Sequence, residues 1–276
     1  MKANYHTHST WCDGRNTTAE MAAEAMRLGL GTLGFSSHAM LPDESYDWVL
    51  SREKLPRYVR EIRDLATQYR GKMRILCGVE ADYIPGRSSP DRAVYAPYGI
   101  DYVIGSVHWV VAPDGGLVPV DKSPETQREG IARHFGGDVA AFVRAYYRQV
   151  REMLATCDFD ILGHVDLVLK FNEKHPTIDE RATWYEEEIR RTIEAIESST
   201  KVVELNSGGI ARGWRTDFYP SRHFYGLLKA QGGKNHRYVL SSDAHSVADL
   251  GVPYAFAAQR GDLLDFVATR DTAFLL

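Results

Sequence analysis

The first fourteen residues carry two histidines one residue apart, His6 and His8, with Asp13 five positions further on and Gly14 beside it. On an extended segment side chains repeat every two residues, so both imidazoles face one side. Adjacent imidazoles are a natural start for a metal site, and a glycine beside the carboxylate allows a sharp turn. Taken alone, the pair would look the same as two solvated or core histidines near a terminus. The rest of the chain decides between these readings. Further residues of ligand type recur along it: His38, Glu80, His108, His164 and the triplet Asp243-Ala244-His245.

These side chains need a scaffold, and the pattern alternates strand and helix. Strands are expected over 3–8, 32–37, 74–83, 102–108, 161–166, 202–206 and 237–243. Helices are expected over 17–29, 51–70, 138–155, 178–198 and 221–230, with further helical segments at the end of the chain. Thr17 or Thr18 is placed to cap the first helix, with Glu20 near its positive end. The second helix shows Leu55, Tyr58, Val59, Ile62 and Leu65 on one face. Repeated βα units predict a parallel sheet with helices outside. Seven such units in a chain of 276 residues predict a single α/β domain over 1–276, a distorted TIM-like barrel, rather than an open sheet. An open doubly wound sheet would want a glycine-rich phosphate loop after its first strand, where this chain has His-x-His. The connection 112–137 is long, polar and rich in Gly and Pro, and reads as a loop of the kind that often forms a lid.

In a βα barrel, reactive residues sit at the C-terminal ends of the strands. The candidate ligands fall there: His6 and His8 on the first strand, His38 after the second, Glu80 on the third, His108 on the fourth, His164 on the fifth, Asp243 and His245 after the seventh. Only the sixth strand, running into Asn206-Ser207-Gly208-Gly209, supplies none. Six of the ten histidines thus lie at expected strand ends, whereas random placement would scatter more of them onto helix surfaces. Nitrogen and carboxylate donors without thiolate suit Zn, Mn or Fe. Nine ligands exceed what one tetrahedral ion takes, so two or three ions are expected, with a carboxylate such as Glu80 able to bridge.

Composition excludes other classes. Hydrophobic residues make up 44%, charged residues 25%, and the formal net charge is −4, unlike a basic nucleic-acid-binding domain. Cys12, Cys77 and Cys157 form neither a disulfide framework nor a Cys-x-x-Cys knuckle. No basic region followed by an apolar run marks a secretory signal, and no stretch approaches the ~18 apolar residues of a membrane span. A cytoplasmic protein without membrane or nucleic-acid partner is the expectation. Oligomeric state is not legible.

Several ordered segments carry a resemblance: His-Thr-His-Ser-x-x-Cys-Asp-Gly at 6–14, Phe-Ser-Ser-His at 35–38, Gly-Val-Glu-Ala-Asp-Tyr-Ile-Pro-Gly at 78–86 and Asp-Tyr-Val-Ile-Gly-Ser-Val-His at 101–108. They continue with Gly-His-Val-Asp-Leu-Val-Leu-Lys at 163–170, Glu-Leu-Asn-Ser-Gly-Gly at 204–209, Tyr-Pro-Ser at 219–221 and Ser-Asp-Ala-His at 242–245. Over nearly its whole length the chain resembles the polymerase and histidinol phosphatase (PHP) family, and more narrowly its monofunctional histidinol-phosphatase branch. The resemblance implies a distorted (βα)7 barrel with three divalent ions. It implies that His6, His8, Glu80 and Asp243 hold one ion, that Glu80, His108 and His164 hold a second, and that Asp13, His38 and His245 hold the third.

The expected reaction is hydrolysis of a phosphate monoester, L-histidinol phosphate first among them, by a hydroxide bridging two ions and without a phosphoenzyme. Glu80, Asp243 and His245 stand nearest that chemistry. Arg212 and Lys170 are the expected phosphate clamp, with Ser207 and His223 as weaker candidates on neighbouring loops. Asp82, Asp166 or an acid within 112–137 would meet the ammonium and imidazole of a histidinol substrate. Three other functions compete. A nucleotide phosphoesterase would share the metal site, and an exonuclease among them would need a basic groove or stacking platform for its strand. A non-catalytic metal-binding module would bind ions without turnover. A metal-dependent C–N hydrolase would expect fewer ions and usually an eighth strand.

Overall fold

The computed structural model describes residues 2–41, 46–231 and 238–260. Among the described residues nine strands are formed: β1 (Lys2–Asn4), β2 (Leu30–His38), β3 (Arg74–Asp82), β4 (Tyr102–Ser106), β5 (Trp109–Val111), β6 (Leu117–Pro119), β7 (Ile161–Leu162), β8 (Val202–Asn206) and β9 (Tyr238–Ser241). The helices are α1 (Thr18–Arg27), α2 (Leu55–Gln68), α3 (Arg92–Tyr95), α4 (Pro124–Phe135), α5 (Val139–Thr156), α6 (Thr183–Glu197), α7 (Gly208–Ala211), α8 (Arg222–Gln231) and α9 (Val252–Ala257). Seven strands pair in parallel in the order β1-β2-β3-β4-β7-β8-β9. The two ends of this sheet meet just beyond the regular strands. Thr7 pairs with Ala244, the His8 amide donates to the Ala244 carbonyl at 2.8 Å, and the Asn4 side chain bonds the Ser242 amide and hydroxyl at 3.0 and 2.7 Å. The result is the expected distorted seven-stranded barrel, nearly closed, with its seam at β1 and β9.

Alternation along the strands sorts the core into two parts. Ala3, Tyr5, Leu76, Tyr102, Ile104, Ile161, Val202 and Val239 form one buried cluster. Their immediate neighbours Ile75, Cys77, Val103, Leu162, Val203 and Leu240 belong to another, together with the apolar faces of α1, α2, α5, α6 and α8. The first cluster fills the barrel interior and the second seals helices onto its outside. Tyr102 sets the interior floor. A β-carbon on Gly34 or Gly78 would lie 2.3 Å from its ring or hydroxyl, so these strands carry glycine where the phenol crosses the barrel. The Tyr102 hydroxyl donates to the Tyr5 carbonyl at 2.5 Å. Inward residues above this floor face the C-terminal mouth, where polar side chains replace apolar ones.

Two expectations need correction. The connection 112–137 is not an unstructured loop. β5 and β6 form an antiparallel hairpin that turns at residues 112–116, and α4 follows, capped by the Ser123 side chain and ended by Gly136 in the left-handed conformation. Val110, Val118 and Val120 are buried along the hairpin, an alternation that the Gly and Pro of its turn obscured. The first and fifth barrel strands are also shorter than expected, the first ending at Asn4 so that His6 and His8 follow it. In the fifth, regular pairing ends at Leu162, and 163–166 lead into a short 3-10 turn at Leu167–Leu169. The other elements form within a few residues of their expected limits, including the Thr17–Glu20 capping box of α1. Within the expected strand 237–243, residue 237 lies outside the described residues, as does whatever part of the expected terminal helical segments falls beyond residue 260. No helix among the described residues is long and apolar enough to cross a membrane.

Candidate metal centre

Strand register brings the ligand-type side chains together. His38 pairs with Glu80 across β2 and β3, and Asp82 pairs with Ser106 across β3 and β4, so partners share the inward face. Glu80 is the hub. Its Oε2 lies 3.2 Å from His6 Nε2, 3.5 Å from His8 Nε2 and 3.1 Å from His38 Nδ1. Its Oε1 lies 2.9 Å from His164 Nε2 and 3.5 Å from His108 Nε2, and accepts from the Ser106 hydroxyl at 2.7 Å. Asp243 Oδ1 stands 3.3 Å from His8 Nε2 and 3.8 Å from His6 Nε2. Asp13 Oδ1 lies 3.1 Å from His245 Nε2, 3.7 Å from His38 Nε2 and 3.9 Å from His8 Nδ1. All nine expected ligands thus converge at the barrel mouth. Asp243 adopts φ 50°, a left-handed conformation that Asp tolerates better than most residues, and it turns the chain sharply after β9.

The donor set fits divalent cations. Potential ligand atoms gather within 4.8 Å of one another in four groups: His8-Asp13-His38-His245, His6-Glu80-His164, His6-His8-Asp243 and His38-Glu80-His108. His6 Nε2, His8 Nε2 and His38 Nδ1 are buried without a hydrogen-bond partner among the described residues. Buried polar nitrogens left unpaired are costly, and a cation is the partner that such lone pairs take.

Electrostatics agree. Burial alone would push the His38 ring below its usual pKa, but the Glu80 and Asp13 carboxylates reverse this and raise it to about 10. Burial likewise opposes protonation of His108, and Asp82 with Glu80 raises it to about 9. His8 moves the other way. It is buried, stacks on His245 at 4.0 Å and meets the tilted ring of His38 at 4.5 Å, and both the burial and these neighbours hold it well below the ordinary range. Burial would raise the carboxyls of Glu80 and Asp243, yet their cationic neighbours hold both well below the usual carboxylate range.

Three residues take supporting roles that the sequence reading did not give them, Asp82 having been expected to meet the substrate instead. Glu204, on the one strand thought to lack a ligand, is fully buried and bonds His6 Nδ1 at 2.7 Å, the His164 amide at 3.0 Å and the Asn206 amide group at 2.9 Å. Asp82 bonds His108 Nδ1 at 2.9 Å, and Cys12 Sγ lies 3.4 Å from His8 Nδ1. Partners of this kind fix which ring nitrogen faces the ion. The signal for Glu204 was present: a carboxylate two residues after inward-facing Val202 on an otherwise apolar strand must also face inward.

A cavity of about 390 Å³ opens over the cluster, lined in part by Asp13, His38, Glu80, His108, His164, Asp243 and His245. Lys170 and Arg212 also line it. Lys170 Nζ is held by Asp121 Oδ2 at 3.0 Å and by its carbonyl at 2.9 Å. The Arg212 guanidinium spans both Asp243 oxygens at 3.3 Å and donates to His245 Nδ1 at 2.6 Å. Gly208 makes room for this arrangement, since a β-carbon there would sit 2.5 Å from Arg212 Nη1 and Asp243 Oδ2. Ser207 is fully buried beneath α7, and His223 is exposed on α8. Neither lines the cavity, so the structure does not bring them to the cluster. Asp82 and Asp166 stay behind it, the first on His108 and the second accepting from the Ser221 amide at 2.7 Å.

Comparison with known proteins gives the same grouping. A Deinococcus radiodurans protein named "Probable histidinol-phosphatase" is 30% identical over 260 residues, covering 92% of this chain and 90% of that one. The histidinol-phosphatase of Bacillus subtilis is 27% identical over 276 residues, covering 94% of this chain and 99% of its own length. In fold, the chain matches the histidinol phosphate phosphatase of Lactococcus lactis subsp. lactis, solved in complex with Zn, L-histidinol and phosphate. That match has a TM-score of 0.61 and 21% identity, covering 94% of each chain. The family model described as the PHP domain matches residues 4–208. With its barrel, its cluster and this match over most of its length, the chain belongs to the PHP domain family.

Proposed function

We propose that the chain, acting over its whole length as one domain, is a metal-dependent phosphate monoester hydrolase that converts L-histidinol phosphate and water to L-histidinol and phosphate. The observation that carries this reading is Glu80. Its two oxygens face two different sets of imidazoles, His6, His8 and His38 on one side, His108 and His164 on the other. A buried carboxylate so placed is suited to join two cation sites, and the Asp13-His38-His245 group offers a third. Zn, Mn and Fe all suit these donors. Divalent cations bound there offset phosphoryl charge and lower the pKa of coordinated water.

The chain's own groups divide the remaining work. Arg212 and Lys170 bind the phosphoryl oxygens, Arg212 through two donors at once. An incoming phosphate competes with Asp243 for that guanidinium. Asp121 holds the Lys170 ammonium in place. Water attacks phosphorus directly in this reading, and no phosphoenzyme forms. Glu80, Asp243 and His245 surround the reacting group as ligands.

The names of the relatives and the histidinol and phosphate bound in the Lactococcus lactis protein support the choice of substrate. The test is phosphate release by Mn-reconstituted protein from L-histidinol phosphate, beside a nucleoside bisphosphate and an aryl phosphate. The expected kcat/KM for the first is on the order of 10⁴–10⁶ M⁻¹s⁻¹, the ordinary enzyme range, and far above the other two. Similar weak rates on all three would overturn the substrate assignment.

A further inference from the structure

Beyond its ionic groups, the cavity carries an aromatic wall. Tyr46 and Trp48 reach it from the segment after β2, and Trp109 reaches it from β5. The rings form one array, with Tyr46 5.6 Å from Trp48 and 6.0 Å from Trp109 between centroids. Trp48 meets His38 edge-on at 5.2 Å, and Trp109 directly follows His108 in the chain. Both indoles therefore stand one step from imidazoles of the cluster. The wall rests on a satellite apolar group, Leu41, Val49 and Ile84 with Val111 and Leu117, separate from the main core. Three large aromatics left partly open to a cavity, at the mouth of a barrel already filled by other residues, are placed to meet a ligand.

We infer that Trp48 and Trp109 bind the organic part of the substrate, and that the group they select is a flat nitrogen heteroaromatic ring carried a few bonds from the phosphate. An indole face is electron-rich, so it attracts a protonated ring electrostatically and a neutral one by offset stacking. A cavity of about 390 Å³ holds a molecule of that size. The wall also explains the hairpin. β5 and β6 place Trp109 over the mouth, which the bare barrel has no strand to do. The inference rests on the reading of the site as a histidinol-phosphatase, and it names the residues that would give that site its selectivity.

The test uses Mn-reconstituted Trp48→Leu and Trp109→Leu, with Trp48→Phe and Trp109→Phe as aromatic controls. The Leu variants should raise KM for L-histidinol phosphate about tenfold, the upper range of a lost aromatic contact, with metal content unchanged. The inhibition constant of inorganic phosphate should stay within twofold of the parent, and the Phe variants should recover most of the KM. An unchanged KM, or a phosphate constant that shifts in parallel, would overturn the inference. Should the parent fail to hydrolyse L-histidinol phosphate, the functional reading falls, and the wall is judged separately by saturation-transfer NMR with L-histidinol alone. Saturation of its imidazole protons that disappears in the Leu variants would sustain the aromatic site. No transfer in the parent would sink it.

Discussion

Glu80→Gln isolates the role of one charge. The residue is 2% exposed, and the amide that replaces its carboxylate has nearly the same shape. Its Oε1 can still accept from Ser106, which now bonds Glu80 at 2.7 Å. What is lost is a unit of negative charge at the centre of five imidazoles, each within 3.5 Å. At an effective dielectric near 20, a unit charge about 4 Å away counts for about 4 kcal/mol, or about a thousandfold in an equilibrium constant. A carboxylate shared by two cations loses this on both sides, so the variant should bind fewer ions and hydrolyse L-histidinol phosphate at least a hundredfold more slowly. The fold should survive, because the imidazoles that Glu80 keeps protonated can release their protons once it is gone. Metal content by plasma mass spectrometry, kcat by phosphate release and the far-UV circular dichroism melt read the three parts separately. Full metal content with parental turnover would refute the bridging argument. Loss of the cooperative melt would show instead that Glu80 is chiefly structural.

Arg212→Ala should raise KM for L-histidinol phosphate at least tenfold with metal content intact, and unchanged kinetics would exclude it from phosphate binding. Glu204→Gln should lower metal affinity or activity about 10- to 100-fold by freeing the His6 ring, the usual cost of losing such a partner, and isothermal titration with Zn or Mn reads it. Metal loading should release protons at neutral pH. His38, raised to about 10, and His108, raised to about 9, hold protons in the metal-free protein, and ligation needs their neutral nitrogens. Affinity should therefore climb from pH 7 toward 9 and proton release should fade above about 10, as titration in buffers of different ionisation enthalpy will show. Proton release near zero at pH 7 would contradict the raised values.

Eight of the nine ligand-type residues were legible because the barrel imposes a rule that sequence can follow: reactive groups sit where strands end; Asp13 entered through the resemblance of segment 6–14. His38, His108 and Asp243 each stand at the end of an expected strand, so chain order alone placed them at one mouth. Glu204 was not legible by that rule. Like Glu80 on β3 it lies two residues before the end of its strand, but it follows an apolar pair and runs into Asn206-Ser207-Gly208-Gly209, and it acts through His6 Nδ1. Only the inward alternation Val202-Glu204-Asn206 marks it, and that alternation becomes decisive once the strand is known to face a closed interior. Lys170 and Arg212 were legible as cations near the site, whereas Ser207 and His223 were chosen by proximity in sequence. The short helix α7 buries Ser207, and the outward face of α8 carries His223 away.

The hairpin shows where local signals mislead. Residues 112–116 are Ala-Pro-Asp-Gly-Gly, which read as a loop because they are one; the error lay in letting them speak for the residues on either side. Trp109–Val111 and Leu117–Pro119 are each three residues long, too short for a periodic pattern to stand out. Their pairing is fixed by contacts distant in sequence. Gln149 on α5 accepts from the Val111 amide at 2.6 Å and donates to the Trp109 carbonyl at 2.9 Å. The cavity wall that β5 carries is thus held by a helix side chain 38 to 40 residues away. A metal cluster built on strand ends repeats with the fold and can be read from order and spacing. A wall that chooses the substrate is assembled from an insertion and a loop, and its legibility depends on knowing what packs against it.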